Sequence, residues 1–364
     1  MIDDIEIIRA AIPLTPTSPR QMWTREWSNQ LFVKVSASGR TGWGEVLPAG
    51  GNTRDPYIGV LKRLKEGVVG HDEADYEGLW DLMRKITFTG GYGITTGAIS
   101  GIDIALWDIR GRREGKGVGA MLGRGKRVGR YASLSRYDSA ETLEAAVRNL
   151  REQGYRSIKL HQAGGDTLEC VKGVRRACGG DFDLMVDMNC AFPYEKARKF
   201  MRDVHRYELK WVEEPVWPPD DFESLAKLNK IGPVAAGENL FSIFEFRRLV
   251  ETDALSYYQP DVTKVGGITP LVGMLDLFRK SGAKVALHNR PHNGWIGTIA
   301  SAHAASMLGE DALVETPPNE VPGKYFSTTS RVTKTEIYPE GPGLGVDPKE
   351  PIPQSSKSVV LRFH

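Results

Sequence analysis

Asp183-Leu184-Met185-Val186-Asp187-Met188-Asn189, Leu209-Lys210-Trp211-Val212-Glu213-Glu214-Pro215 and Val234-Ala235-Ala236-Gly237-Glu238-Asn239 are three short apolar runs, each with an acid at its carboxyl end. They belong to a series of eight, the others being Val128 to Leu134, Ser157 to His161, Ser256 to Asp261, Ala283 to Asn289 and Ala312 to Pro317. Successive runs start 29, 26, 26, 25, 22, 27 and 29 residues apart, room each time for one strand, one crossover helix and two loops. Their near-continuous apolar character suits parallel strands covered outside by helices and packed within. The spacing predicts an α/β protein with an eight-fold β/α barrel, whose active site lies on the rim where the strands end. An open doubly wound sheet is the competing architecture, but its GxGxxG turn after the first strand is missing and eight units favour closure.

The rim of such a barrel carries Lys159, His161, Asp187, Asn189, Glu213, Glu238, Asp261, His288 and Glu315. Asp187, Glu213 and Glu238 end three consecutive runs, so neighbouring strands would bring them together. One acid at a strand end reads as well as a helix N-cap. Three converging acids repel one another by roughly several kcal/mol even at an effective dielectric near 20, and a cation resolves that conflict. An all-oxygen set with room for waters and substrate suits Mg²⁺ better than Ca²⁺. Lys159 and His161 are two positions apart and face the same way, into the barrel. Asp261 ends the run before that of His288, where a carboxylate can choose the imidazole tautomer and raise its basicity. Glu315 would donate a hydrogen bond to an oxyanion if this crowded site keeps it protonated.

The chain has 364 residues, against about 250 for a bare barrel, so a second domain is expected. Residues 1–125 read as an α+β domain, with strands Ile5 to Ile12 and Leu31 to Ala37 and a Ser38-Gly39 turn into Gly42-Trp43-Gly44-Glu45. Helical spacing follows over Tyr57 to Lys65, Tyr76 to Ile86 and Thr95 to Arg112. The segment 15–30, with two prolines, two tryptophans, Arg20 and Arg25, reads as a lid. Arg20 or Arg25 could pair with a distal carboxylate of a diacid, and Asn189, Asn239 and Trp295 are further substrate-binding candidates on the rim. The barrel is expected over 126–320. The tail 321–364 regains β-like alternation and is expected to return to the first domain.

With 40% apolar and 26% charged residues, the composition is that of an ordinary globular protein. A net charge of +2 gives no field for nucleic acid or an anionic membrane. No run approaches the roughly 18 to 20 apolar residues of a membrane span, and the acidic start lacks a signal peptide's basic region, so a cytoplasmic protein is expected. Cys170, Cys178 and Cys190 are an odd set without a CxxC pair and read as reduced thiols.

These residues resemble the enolase superfamily, specifically its mandelate racemase group. The likeness runs through Gly42-Trp43-Gly44-Glu45, Gly101-Ile102-Asp103-Ile104-Ala105-Leu106-Trp107-Asp108, Lys159-Leu160-His161, Val186-Asp187-Met188-Asn189, Trp211-Val212-Glu213-Glu214-Pro215, Gly237-Glu238-Asn239, Gln259-Pro260-Asp261, Leu287-His288 and Val314-Glu315. The resemblance implies a modified barrel with a capping α+β domain, and one Mg²⁺ per subunit on Asp187, Glu213 and Glu238. It also implies a His288–Asp261 dyad, an electrophilic Glu315, a supporting role for Glu214, and a homo-oligomer of even subunit number. The group's usual second-strand motif is Lys-x-Lys; here His161 stands in the second place. Its reference pKa of about 6.5, against about 10.4 for lysine, lets it be neutral and basic near pH 7. Lys159 would lie near the substrate carboxylate. The implied chemistry is removal of the proton α to a carboxylate, most simply in dehydration of an acid sugar, an aldonate or aldarate, to a 2-keto-3-deoxy acid. A racemase, epimerase or lactone cycloisomerase is the alternative, and a barrel that binds acid sugars without turnover is a remoter one.

Overall fold

The structure is a computed structural model that describes residues 1–12, 30–47, 54–123, 127–162, 164, 166–290, 294–309, 312–318 and 320–354. Arg20, Arg25 and all of the 15–30 segment except Gln30 lie outside the described residues.

The N-terminal stretch folds into antiparallel β1 (Ile2–Ala10), β2 (Gln30–Ala37) and β3 (Arg40–Val46). Ser38 and Gly39 join β2 to β3 with φ of 48° and 71°, a turn whose twist matches that of the strands it joins. Helices α1 (Arg54–Val68), α2 (Tyr76–Ile86) and α3 (Ile94–Glu114) follow. They bury Leu61, Leu64, Met83, Ile99 and Ile102 with Val33 and Val35 in a core separate from that of the barrel.

After a short α4 (Val118–Met121) come β4 (Val128–Leu134), α5 (Ala140–Glu152), β5 (Ser157–Leu160), α6 (Thr167–Cys178), β6 (Asp183–Asp187), α7 (Tyr194–Val204), β7 (Trp211–Glu213), α8 (Phe222–Asn229), β8 (Val234–Ala236), α9 (Ile243–Glu251), β9 (Tyr257–Tyr258), α10 (Ile268–Ser281), β10 (Lys284–Leu287), α11 (Trp295–Ala305) and β11 (Leu313–Thr316). Each strand pairs in parallel with the next, and β11 closes onto β4 with Glu315 beside Tyr131. The result is a modified (β/α)8 barrel capped by the N-terminal segment. Helix α5 illustrates the local rule: Ser139 accepts the Thr142 N–H, and Leu143, Val147 and Leu150 make the buried stripe.

Among the described residues, no helix follows β11. The chain instead forms β12 (Phe326–Thr328), β13 (Arg331–Val332), β14 (Glu336–Tyr338) and β15 (Val346–Pro348). Strand β14 lies antiparallel on the start of β4. Leu344 N–H donates to Asp108 of α3 at 2.7 Å, and Ala11 N–H to the Pro353 carbonyl at 2.7 Å. The tail therefore touches both barrel and cap.

Inside the barrel, Tyr131, Met185, Trp211, Ala235 and Ala286 form a packed floor, with Tyr131 edge-on to Trp211 at 5.3 Å. Residues two places further along these strands rise to the mouth. Among the described residues, no helix is long and apolar enough to cross a membrane.

Candidate metal and acid/base site

Asp187 and Glu213 each lie two residues beyond a floor residue, Met185 and Trp211, and so point inward by strand alternation. Glu238 is three beyond Ala235, and strict alternation would turn it outward. Gly237, at φ 126°, breaks the alternation and brings Glu238 to the mouth. A Cβ at 237 would meet the Phe246 ring at 2.8 Å, so both angle and space require glycine. One oxygen from each of Asp187, Glu213 and Glu238 lies within 4.8 Å of the other two.

Lys159 stands among them, fully buried. Its ammonium pairs with Glu213, and reaches Asp187 Oδ2 at 3.3 Å and Glu315 Oε1 at 2.9 Å. Burial opposes its charge, yet the carboxylates of Glu213 and Glu315 hold its pKa well above the usual value. Burial drives the Glu213 carboxyl upward; Lys159 offsets part of this, and the charges of Asp187 and Glu315 add to it. For Glu238 the same burial is outweighed by His288 and Lys264, which hold it well below the ordinary range. From the floor, Trp211 Nε1–H and Gln259 Nε2–H donate to Glu213 Oε2 at 2.9 and 2.6 Å. Tyr131 O–H donates to Glu315 Oε2 at 3.2 Å.

Two imidazoles flank the trio. His161 Nδ1 is 2.8 Å from the Leu134 carbonyl, an oxygen that can only accept, so Nδ1 carries the proton. Its Nε2 faces Asp187 Oδ2 at 3.0 Å. His288 Nδ1 lies 2.6 Å from Asp261 Oδ2, and its Nε2 2.9 Å from Glu238 Oε2. Thr263 fixes the other Asp261 oxygen through its N–H and O–H at 2.7 and 2.6 Å. Burial works against protonating His288, but Glu238 and Asp261 raise its pKa well above normal.

Asp187 Oδ2 is buried and makes no hydrogen bond, meeting the Lys159 ammonium and His161 Nε2 only as ion-pair contacts. That buried oxygen, the oxygen-only donors and their mutual repulsion together fit a hard divalent cation.

The remaining candidates are placed unequally. Asn189 is exposed, and its N–H donates to Asp187 Oδ1 at 2.8 Å. Asn239 donates to Glu214 Oε2 at 2.7 Å and Glu238 Oε1 at 3.3 Å. Trp295, at the start of α11, is buried against the main apolar core. Cys170, Cys178 and Cys190 are free thiols.

Behind the trio lies a second layer, in which the sequence points to Glu214 as a support but not to Cys190 or Lys264. Glu214, at φ 38°, accepts from Cys190 Sγ at 3.0 Å as well as from Asn239. Burial and then the charge of Glu238 push its carboxyl up to about 7. Lys264 Nζ donates to Asn239 Oδ1 at 3.1 Å. Tyr131 and Gln259 were findable, because each sits two places from a neighbour that also faces inward; Lys264, in the turns after β9, follows no period.

The models of two families match the chain: that of the mandelate racemase / muconate lactonizing enzyme N-terminal domain over residues 4–123, and that of the enolase C-terminal domain-like family over residues 141–352. L-talarate/galactarate dehydratase of Salmonella typhimurium is 33% identical over 236 residues, 62% of this chain and 59% of that protein. Arabinonate dehydratase of Saccharolobus solfataricus is 28% identical over 326 residues, 85% of each. Among solved structures, the 3,6-anhydro-D-galactonate cycloisomerase of Zobellia galactanivorans aligns with a TM-score of 0.85 at 25% identity, covering 95% of this chain and 96% of that one. A matched cap, a matched barrel and rim residues in the group's order admit one conclusion: the chain belongs to the mandelate racemase group of the enolase superfamily.

Proposed function

We propose that this protein removes the proton α to the carboxylate of an acid sugar and expels the β-hydroxyl, giving a 2-keto-3-deoxy acid. The observation that carries the reading is the pair of imidazoles, each presenting Nε2 to the carboxylate trio at 3.0 and 2.9 Å while Nδ1 is held from behind by a different acceptor. Asp187, Glu213 and Glu238 would hold one Mg²⁺ per subunit, which when bound supplies Lewis-acid stabilisation of charge on the substrate carboxylate. His161, held at Nδ1 by the Leu134 carbonyl, takes the α-proton at Nε2. The C–H electrons become the enolate, whose charge the Lys159 ammonium and Glu315 face. His288, backed by Asp261, gives its Nε2 proton to the β-oxygen. The C–O bond then breaks, water leaves, and the enol product tautomerises to the keto acid.

Dehydratases acting on acid sugars among the relatives support the substrate class. The cycloisomerase neighbour favours one second reading, in which His288 delivers its proton to a different atom after the same first step. Asn189 and Asn239 are our candidates for contacts to substrate hydroxyls, and we expect a cytoplasmic homo-oligomer of even subunit number.

NMR in D₂O with Mg²⁺ and a panel of stereochemically diverse aldonates and aldarates separates these readings. Loss of the β-hydroxyl with keto-acid formation is the expected result. Exchange with altered stereochemistry and unchanged composition would make the enzyme an isomerase. Binding without exchange across the panel would overturn α-proton chemistry altogether.

A further inference from the structure

Two of the cap's buried acids, Glu45 and Asp103, find their partners outside the cap. They reach across to the barrel. Glu45 of β3 is 1% exposed and accepts the Gly294 and Gly297 N–H groups at 2.5 and 2.8 Å. Asp103 of α3, also buried, accepts the Thr269 N–H at 3.0 Å. Each carboxyl group thus closes the first turn of a barrel helix, α11 for Glu45 and α10 for Asp103, where the unpaired N–H groups favour an acceptor oxygen and partly offset the burial that pushes Glu45 up to about 8 and Asp103 up to about 7.

Those two helices are not arbitrary. Helix α10 follows β9 and Asp261; helix α11 follows β10 and His288. Within the first turn of α11, Thr298 Oγ1 accepts from Asn289 Nδ2 at 2.7 Å, and Asn289 also donates to the Glu315 carbonyl at 3.1 Å. Asn289 is the residue next to His288. On the other side, a Cβ at Gly297 would lie 2.9 Å from the Thr263 methyl and 3.2 Å from Glu45 Oε2. Thr263 in turn is the residue that fixes Asp261. Glu45 therefore sits behind both members of the dyad, joined to Asp261 through Gly297 and Thr263 and to His288 through the first turn of α11, Thr298 and Asn289.

We infer that Glu45 is a positioning residue, through which the cap strand sets the His288–Asp261 dyad by fixing the first turn of α11. The inference rests on the acid/base reading above. Nothing in this path leads to His161, whose Nδ1 is held by Leu134 of β4. Loss of Glu45 therefore separates the two proton transfers: removal of the α-proton survives, and delivery of a proton by His288 suffers.

The test compares wild type with Glu45→Gln, which keeps the shape but offers one acceptor oxygen instead of two. With Mg²⁺ and the best substrate of the acid-sugar panel, keto-acid formation should fall 10- to 100-fold while α-hydrogen exchange in D₂O stays within about three-fold. KM should change little, since no substrate contact is removed. A purely structural Glu45 would lower both rates together, in step with the folded fraction, and that parallel loss overturns the inference. So does an unchanged ratio of exchange to elimination.

A second readout does not depend on turnover. The Nδ1 proton shared by His288 and Asp261 is expected far downfield in the proton NMR spectrum, identified by its loss in His288→Gln. It should move or broaden in Glu45→Gln, and an unmoved resonance overturns the inference. Wild type that neither exchanges nor eliminates would refute the acid-sugar reading and leave the NMR comparison to decide the fate of Glu45.

Discussion

Lys159 is the residue on which the polar balance of the mouth turns. Its ammonium faces Asp187, Glu213 and Glu315 at once, and so would meet charge developing on a substrate carboxylate without rearranging. Lys159→Met is expected to reduce kcat by about 10²–10³-fold, the usual effect of removing one preorganised charge-stabilising donor. The same change should tighten Mg²⁺ binding in isothermal titration, because the ammonium no longer competes for Glu213 and Asp187. A kcat loss below ten-fold would remove Lys159 from the reacting centre. A different residue reports on pH. His303 of α11 is fully buried, accepts the Gly119 N–H at Nδ1 and faces the Leu344 carbonyl through Nε2. Burial lowers its pKa to about 4. Between about pH 6.5 and pH 4 the unfolded chain therefore binds a proton that the native state refuses, and stability falls as pH falls, by about 3 kcal/mol over the window. Urea unfolding at pH 7 and pH 5 should show about 2 kcal/mol of this loss in wild type and a shallower one in His303→Gln. Equal slopes would mean that His303 does not set the acid limb.

At the scale of the element, what decides the site is where each strand stops. The eight apolar runs were legible because each needs only a buried, two-sided strand, and the Asp187, Glu213 and Glu315 positions followed from simple alternation. The ends were not legible. Strands β7, β8 and β9 hold three, three and two residues, shorter than the runs, since the backbone leaves the ladder at Glu214 and Gly237 with positive φ. That departure depends on tertiary space that one sequence does not display, and Glu238 is its product. Gly237→Ala tests the point. The substitution places a methyl against Phe246 in a backbone region open chiefly to glycine, at a cost of about 1–3 kcal/mol. If the chain relaxes by restoring alternation, Glu238 leaves the trio, so Mg²⁺ affinity should drop at least ten-fold by titration even where the protein remains folded. Stability loss with unaltered affinity would show that Glu238 does not need this bend.

For the whole molecule, the same three acids make the metal a structural matter as well as a chemical one. Asp187, Glu213 and Glu238 come from three separate strands, so bringing their charges within reach of one another opposes closure of the barrel. A cation that binds only the folded arrangement adds stability through mass action, about 2.7 kcal/mol at one hundred times its dissociation constant. The cap should share in that gain. Glu45 and Asp103 are buried acids whose partners lie in α11 and α10, and Asp108, though it pairs with Arg112 and Trp43 of the cap, also accepts from the tail, so freeing the cap would strand the first two and cost the third a partner. Calorimetry is therefore expected to show one transition for cap and barrel together, moved upward as a unit by several degrees when Mg²⁺ replaces EDTA. Glu213→Gln should abolish the shift, since it removes a charge common to all pairings of the trio. Two transitions, only one of them sensitive to Mg²⁺, would mean that the cap is held independently and that its acids only rest against the barrel. A single transition indifferent to Mg²⁺ would mean that the trio does not bind it, and catalysis by this chain would then need another source of positive charge than the one its geometry invites.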